Sequence, residues 1–482
     1  MRLGWRSHWR LYWCAGALAG ALWLVACSSL PTIVPDLARR PSTSVRLEGA
    51  RGVLSAAQSK AILDQLKRRS AATDIFERHL AVEEAVVGSP MTTGNQVVLL
   101  QDGPATYRAM FAAIEAARDH INMETYILED DEVGQRFAQA LIAKQQQGVQ
   151  VNIIRDSVGT LGTPAAFFKT LSDSGIKLLE FNPVNPLLAR KTWALNQRDH
   201  RKLLIVDGSI AFLGGINISS VYSGGSFSQG SRAAPKRVVP NADEADVDAL
   251  KTNLAWRDTD LQLQGPVVAE FQKLFLATWE KQHGEPLAAS NFFPPPKSPG
   301  KQLVRAIGSS PTDPFSLIYA TLLSAIGSAE TSVYITNAYF VPDPQLLATL
   351  EAAAARGVDV RLILPSQTDS WLVFHAGRGY YERLLSAGVK IYERRGVILH
   401  SKTALIDGVW ATVGSTNLDW RSFLHNEELN AVVLGVEFGN QVKAMFDKDL
   451  AASDVITLET WQRRPIDLRI KEMFGRIWEY WL

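Results

Sequence analysis

One short stretch occurs twice in this chain, and any fold must account for both copies. The first is His200-Arg201-Lys202-Leu203-Leu204-Ile205-Val206-Asp207-Gly208, followed by Gly214-Gly215-Ile216-Asn217. The second is His400-Ser401-Lys402-Thr403-Ala404-Leu405-Ile406-Asp407-Gly408, followed by Gly414-Ser415-Thr416-Asn417. Both read H-x-K-x4-D-G and then a small-residue turn ending in Asn. Lys at +2 and Asp at +7 each fall by chance at roughly one position in twenty, so a repeat with the same tail is not accidental. The apolar residues between Lys and Asp predict a buried β-strand, and the Gly after each Asp predicts a turn. On a strand, residues i and i+2 share a face, so His and Lys of each copy point together.

The surroundings of the motif repeat as well. Gly148-Val149-Gln150-Val151 is echoed by Gly357-Val358-Asp359-Val360, and Ser174-Gly175-Ile176-Lys177 by Ala387-Gly388-Val389-Lys390. Spacing predicts strands over 97–100, 122–128, 149–154 and 176–181, with helices over 107–120, 133–147 and 167–174. The second half repeats the plan: strands over 332–340, 358–364 and 389–392, and helices over 317–328, 346–356 and 380–387. A period near 200 residues means two duplicated domains rather than a solenoid. Alternating strands and helices imply α/β sandwich layers around a parallel or mixed sheet. The Pro-rich 293–300 segment reads as the linker between them. Ahead of the repeat, 55–85 has a helical pattern and reads as a cap on the body, with Glu83 and Glu84 on a solvated face.

Composition adds limits. The 482 residues carry a formal net charge of +1, so any affinity for phosphate has to come from local placement of Lys, Arg and His. Both cysteines lie within the first 27 residues, so no disulfide staples the body. Arg2, Arg6 and Arg10 precede an uncharged run from Leu11 to Ala26, the pattern of a signal peptide. The run ends in Leu24-Val25-Ala26-Cys27-Ser28, which resembles a bacterial lipoprotein processing site and implies lipidation of Cys27. An uncleaved membrane anchor is the alternative, because no charge appears between Arg10 and Asp36. Either reading tethers the body to a membrane. Ser28, rather than Asp, after the Cys implies the outer membrane by the same resemblance.

The doubled motif resembles the phospholipase D superfamily, and the wording around it is most similar to bacterial cardiolipin synthases. The similarity includes Trp256-Arg257-Asp258-Thr259, Gly414-Ser415-Thr416-Asn417-Leu418-Asp419-Trp420-Arg421-Ser422 and Asn426-Glu427-Glu428-Leu429-Asn430, and covers roughly residues 80–451. It implies two tandem phospholipase D-like α/β/α domains in a pseudo-twofold. The expected boundaries are a signal peptide at 1–26, a lipidated tether at 27–53, a helical cap at 54–92, a first domain at 93–285, a Pro-rich linker at 286–302 and a second domain at 303–482.

Phosphodiester transfer without a metal needs a nucleophile, a proton for the leaving oxygen and positive charge around the phosphoryl group. Two His and two Lys brought together supply all three. An imidazole titrates near neutral pH, so one ring can attack phosphorus as the other donates a proton. A covalent phosphohistidine divides the transfer into two easier displacements. Lys202 and Lys402 would hold the non-bridging oxygens, with Asn217 and Asn417 as neutral donors. The resemblance implies His200 as nucleophile and His400 as general acid/base, an order the residues themselves leave symmetric. It also places a carboxylate downstream of each motif, mapping to Asp258 in the first half and Glu428 in the second, to fix the imidazole tautomers. Asp207 and Asp407 belong to the motif's catalytic set, but their place at the turn reads as structural. Glu124, Tyr126 and Tyr339 sit on equivalent strands and either line the cleft or pack in the core. No metal or other cofactor is expected, for want of an H-E-x-x-H motif, a Cys cluster or His beside paired carboxylates.

Two segments break the repeat. The stretch 219–246 is Gly- and Ser-rich and aperiodic, and either borders the site or is disordered. At the C-terminus Ile470, Met473, Phe474, Ile477, Trp478, Trp481 and Leu482 form an apolar stripe. It suits a core-packing helix or one lying on lipid. The expected activity is a phosphatidyltransferase that joins two phosphatidylglycerols, or phosphatidylglycerol and another phospholipid. A phospholipase D releasing phosphatidic acid is the alternative. Nucleic acid is not an expected partner, because no dense basic track is present, and intact motifs argue against a non-catalytic scaffold.

Overall fold

A computed structural model describes residues 34, 44–70, 73–185, 187, 193–224 and 254–482. The expected signal segment, Cys27 and most of the 219–246 insertion lie outside the described residues. In the first half the strands lie in the order Lys177–Phe181, Gln150–Asp156, His120–Thr125, Leu203–Val206, Ile210–Gly214, Thr259–Gln264 and Met91–Gln101. In the second they follow the same order: Lys390–Arg394, Asp359–Pro365, Ser332–Asn337, Lys402–Ile406, Trp410–Gly414, Asn426–Leu434 and Gln302–Ser309. Each series begins with parallel neighbours and continues antiparallel, so the sheet is mixed. The two series meet where Gln302–Ser309 pairs with Met91–Gln101, Gln302 opposite Asn95 and Val304 opposite Thr92. Both halves therefore belong to one compact unit, Val34–Leu482.

The crossover helices of the first half, Gly103–Ala116, Glu132–Gln146 and Ala165–Asp173, cover one face of its sheet. Gly148 and its counterpart Gly357 follow crossover helices with φ of 88° and 87°, a left-handed conformation that glycine adopts without strain. The motif strand is apolar throughout because it is buried on both sides. Leu204 and Val206 face the crossover helices. Leu203 and Ile205 face a central core that also holds Leu405, Ala411 and Val413 of the second half, with helices Val268–Lys281 and Val436–Ala451.

The motif aspartates are tied into the fold at the strand-end turns. Asp207 and Gly208 have φ of 52° and 57°, and Asp407 and Gly408 have 49° and 66°, the left-handed pair that an Asp-Gly hairpin favours. The Asp207 carboxylate accepts the amides of Arg118, Asp119 and His120, capping the start of the neighbouring strand. Asp407 likewise accepts the amides of Glu330, Thr331 and Ser332 and the Thr73 hydroxyl. Both carboxylates are thus engaged by backbone amides at the turn, the place that the sequence reads as structural.

Two ionic struts, one buried and one partly buried, join the halves. Arg257 reaches Asp449 on the helix Val436–Ala451 at 2.8 Å, and Arg394 binds the same carboxylate at 3.1 Å. At the equivalent place in the repeat, Glu427 reaches Lys281 on the helix Val268–Lys281 at 2.7 Å and Arg201 at 2.9 Å. Asp449 and Lys281 occupy matching positions near the ends of their helices, so the polarity of the strut is reversed between the two halves.

The N-terminal helices Ala56–Arg69 and His79–Val86 pack on the body, and here the solvated-face expectation fails. Glu83 is fully buried, 2.9 Å from His79 Nε2, and it accepts the Trp410 indole N–H at 3.2 Å and pairs with Arg305 at 3.2 Å. Glu84 pairs with the same guanidinium. Burial opposes ionisation of Glu83, but Arg305 and His79 outweigh it and hold its pKa below the usual carboxylate value. Arg305 and Trp410 lie more than 200 positions away, beyond the reach of local spacing. A second correction concerns the C-terminal helix Ile466–Ile477, which buries Glu472 and Gly475 while its apolar stripe stays exposed, so it is not a core-packing helix. Replacing Glu83 with Ala leaves the buried Arg305 guanidinium with Glu84 alone and takes the acceptor from the Trp410 indole N–H and the partner from His79. It is expected to cost about 3–5 kcal/mol, read as a lowered thermal midpoint by calorimetry.

Candidate active site

The two histidines stand on the chain just ahead of the motif strands, where each half reaches into the other. Arg198–Asp199 pairs in parallel with the start of Asn426–Leu434, and Trp256–Arg257 pairs in parallel with Ile398–Leu399. These short ladders continue as His200 N–H donating to the Glu427 carbonyl at 3.0 Å and His400 N–H donating to the Arg257 carbonyl at 2.8 Å. Each histidine is thus fixed beside the residue that precedes the other half's carboxylate. Both imidazoles line one cavity of about 280 Å³, together with Tyr126, Tyr339, Asn217 and Asn417.

The carboxylate partners are exchanged between the halves. His200 Nδ1 lies 3.1 Å from both oxygens of Glu428, and His400 Nδ1 lies 2.7 Å from Asp258 Oδ2. A carboxylate at Nδ1 takes the hydrogen there and leaves the Nε2 lone pair for the cavity. Each carboxylate is itself held. Glu428 accepts from Ser415 Oγ and, at 3.2 Å, from Asn426 Nδ2, and Asp258 accepts the Thr259 amide at 2.7 Å. The turn residues explain how they fit: a Cβ on Gly215 would stand 2.2 Å from Asp258 Oδ1, whereas the matching Ser415 supplies the hydroxyl that holds Glu428. Gly214 and Gly414 allow an equally close approach, of Asp260 and Asn430.

Lys202 and Lys402 are buried, and each ammonium donates to the carbonyl of its own motif histidine at 2.6 Å. Lys402 Nζ also lies 2.9 Å and 3.0 Å from the two ring nitrogens of His400, the shared face that i and i+2 spacing predicts. Burial, reinforced by Lys402, pushes the Lys202 pKa down to about 7. Burial lowers Lys402 to about 8 against the pull of Asp258 and Glu428. Two ammonium groups held together out of water favour the arrival of an anion. Burial and the lysines also depress both imidazoles, His200 well below the usual value and His400 less so, because Asp258 opposes the shift. Burial raises Glu428 to about 7, so it gives its histidine less negative charge to lean on.

Comparison with known proteins agrees with this geometry. The family described as "Cardiolipin synthase, PLD-like domain" matches residues 110–223 and 322–450. A cardiolipin synthase of Geobacillus kaustophilus (strain HTA426) is 34% identical over 391 residues, 80% of this chain and 72% of the relative. One from Geobacillus sp. (strain WCH70) is 33% identical over 441 residues, 87% of this chain and 81% of the relative. The chain belongs to the cardiolipin synthase, phospholipase D-like family. Among solved structures, phosphatidylserine synthase of Haemophilus influenzae Rd KW20 shares the fold at a TM-score of 0.59 and 13% identity, covering 84% of this chain and 100% of that one.

Within this member of the family, several pocket residues escaped sequence reasoning. Tyr222 is buried with its hydroxyl 3.3 Å from His400 Nδ1, and it accepts the Asn217 amide at 3.0 Å. It lies in the described start of the 219–246 insertion, so that part of the loop does border the site. The Trp256 ring lies 5.1 Å from the His400 ring, and Tyr126 and Tyr339 lie 5.2 Å and 6.3 Å from His200 and His400, giving apolar walls. Glu124 stays out of the cleft, buried 3.8 Å from Arg201. Arg198, Asp369 and Arg421 add charge to the lining; Arg198 stands beside the first motif and Arg421 within the quoted wording, whereas Asp369 carried no signal in the sequence. Among the described residues, no three His, Cys, Asp or Glu side chains converge as a metal site.

A lysine carries charge below its pKa, so anion affinity is greatest there and fades as pH rises through it. Sulfate, which keeps its charge across this range, is expected to bind progressively more weakly from about pH 7 to about pH 8.5, measured by calorimetry. Constant affinity across that window would show that the two ammonium groups do not hold the anion.

Proposed function

We propose that this chain is a phosphatidyltransferase of the cardiolipin synthase type, joining two phosphatidylglycerols, or phosphatidylglycerol and another phospholipid, through a phosphatidyl-histidine. The observation that carries the reading is the convergence of two differently poised imidazoles and two buried ammonium groups on one cavity. His200, held more firmly neutral, is the nucleophile: its Nε2 attacks phosphorus and the glycerol oxygen departs. His400, supported by Asp258 at 2.7 Å, gives that oxygen its proton. The neutral His400 then takes the proton from the hydroxyl of the second lipid, whose oxygen attacks phosphorus and frees His200. Lys202 and Lys402 hold the non-bridging oxygens throughout, and the buried Asn417 Oδ1, which has no partner, can accept a hydroxyl of the bound lipid.

The relatives named cardiolipin synthase support phospholipid substrates and association with a membrane. No helix among the described residues is long and apolar enough to cross one. The stretch Leu24-Val25-Ala26-Cys27-Ser28 supports anchoring through a lipidated Cys27 on a bacterial membrane, facing the periplasm, with the outer membrane favoured by Ser28.

The test supplies the purified full chain with phosphatidylglycerol vesicles and resolves the products by mass spectrometry. Cardiolipin with an equal amount of glycerol is expected, and phosphatidic acid alone would make the enzyme a hydrolase. His200→Ala and His400→Ala are each expected to lower turnover about 10³-fold or more with the fold retained. After quenching wild-type reactions with denaturant at mildly alkaline pH, where a P–N bond survives, a phosphatidyl adduct is expected on the peptide bearing His200. An adduct on His400 instead would reverse the assigned order.

A further inference from the structure

The helix Ile466–Ile477 is docked on the body by the side opposite to the one expected of an amphipathic helix. Its inner face is polar and small. Gly475 packs so close to Ala376 on the helix Trp371–Arg378 that a Cβ would stand 2.6 Å from the Ala376 amide nitrogen. Glu472 is buried against Arg464 at 2.8 Å, Glu479 accepts the Tyr380 hydroxyl, and the Arg476 guanidinium lies 4.7 Å from the centre of the Tyr380 ring. Its outer face is apolar: Ile466, Ile470, Met473 and Ile477 are 77%, 57%, 62% and 68% exposed, with Phe474 and Trp478 beside them. Trp371, also exposed, extends the patch with its ring 6.3 Å from that of Phe474. A helix that spends its glycine and its ion pairs on the body, and presents branched and aromatic side chains to the outside, is held in place for something apolar to cover it.

The stripe also leads to the reaction. Beyond the helix the chain turns through Glu479–Trp481, and Trp481 and Leu482 line the cavity that holds both histidines. The Leu482 carbonyl accepts the amide of Arg421, another lining residue, at 2.7 Å, which fastens the apolar end to the rim. Between Arg463 and Leu482 stand Arg463, Arg464, Arg469, Lys471 and Arg476 against Asp467, Glu472 and Glu479, a cationic balance suited to an anionic surface.

We propose that the outer face of Ile466–Ile477, with Trp371, Trp478 and Trp481, docks on a bilayer of anionic phospholipid and sets the mouth of the cavity against the headgroups. The helix lies in the interface, its branched side chains among the upper acyl segments and its tryptophans at headgroup level. A phospholipid then reaches the histidines along the Trp481 and Leu482 rim without passing its chains through water. The inference rests on the reading of the substrate as a bilayer lipid.

The test is hydroxyl-radical footprinting of the full chain with and without vesicles of phosphatidylglycerol and phosphatidylcholine, read by mass spectrometry. Labelling of Met473 and Trp478 is expected to fall about fivefold or more on adding vesicles. In the variant Ile470→Glu/Ile477→Glu, both exposed positions, the fall is expected to disappear while the thermal midpoint holds. Its turnover of vesicle phosphatidylglycerol should drop about tenfold while turnover of dispersed short-chain phosphatidylglycerol is kept. Equal labelling with and without vesicles would overturn the proposal. So would protection already present without vesicles, which would assign the face to a second copy or to the chain's own apolar 11–26 run. Protection is read without turnover, so it stands or falls separately from the transferase reaction.

Discussion

Each motif imidazole is oriented by a carboxylate that belongs to the other half of the chain: His200 by Glu428 and His400 by Asp258. That exchange makes the site a property of the assembled pair. Neither half alone holds a histidine with its Nδ1 hydrogen fixed, so neither alone presents a defined Nε2 to phosphorus. The short parallel ladders that pair 198–199 with 426–427, and 256–257 with 398–399, give the exchange its register. The central core shared by Leu203, Ile205, Leu405 and Val413 presses the motif strands together behind it.

The electrostatics follow from the same enclosure. Two ammonium groups in a dry pocket lose proton affinity, and they regain it when a phosphodiester arrives. The unequal carboxylates then divide the labour. Asp258, at a single short bond, lends His400 more charge than Glu428, whose own burial favours its neutral form, lends His200. Two copies of one motif can thus differ in chemistry through residues outside the motif.

Local pattern carried a large part of this structure. The apolar run between Lys and Asp announced a strand buried on both faces, and Asp-Gly announced the hairpin after it. The repeat itself announced two equivalent half-sheets. What could not be read depends on partners remote in the chain. Asp258 and Glu428 were visible as carboxylates downstream of the motifs, but sequence order holds nothing that would exchange them. Glu83 looked like a surface residue because its helix gave no sign of Arg305 and Trp410, and Tyr222 was lost in an aperiodic insertion. The C-terminal stripe was plain in the spacing, yet a helical period does not say which side meets the protein; Gly475 against Ala376 decides it.

The reversed struts bear on how such a molecule can change over generations. Arg257 meets an acid on the second half's helix, whereas Glu427 meets a base on the first half's. Two copies of the first half, joined by the same twofold, would set Arg257 facing Lys281; two copies of the second would set Glu427 facing Asp449. Like charges buried together repel strongly in a low dielectric. A molecule assembled from identical halves would therefore set like charges together at both struts, so the two halves have to differ at these positions.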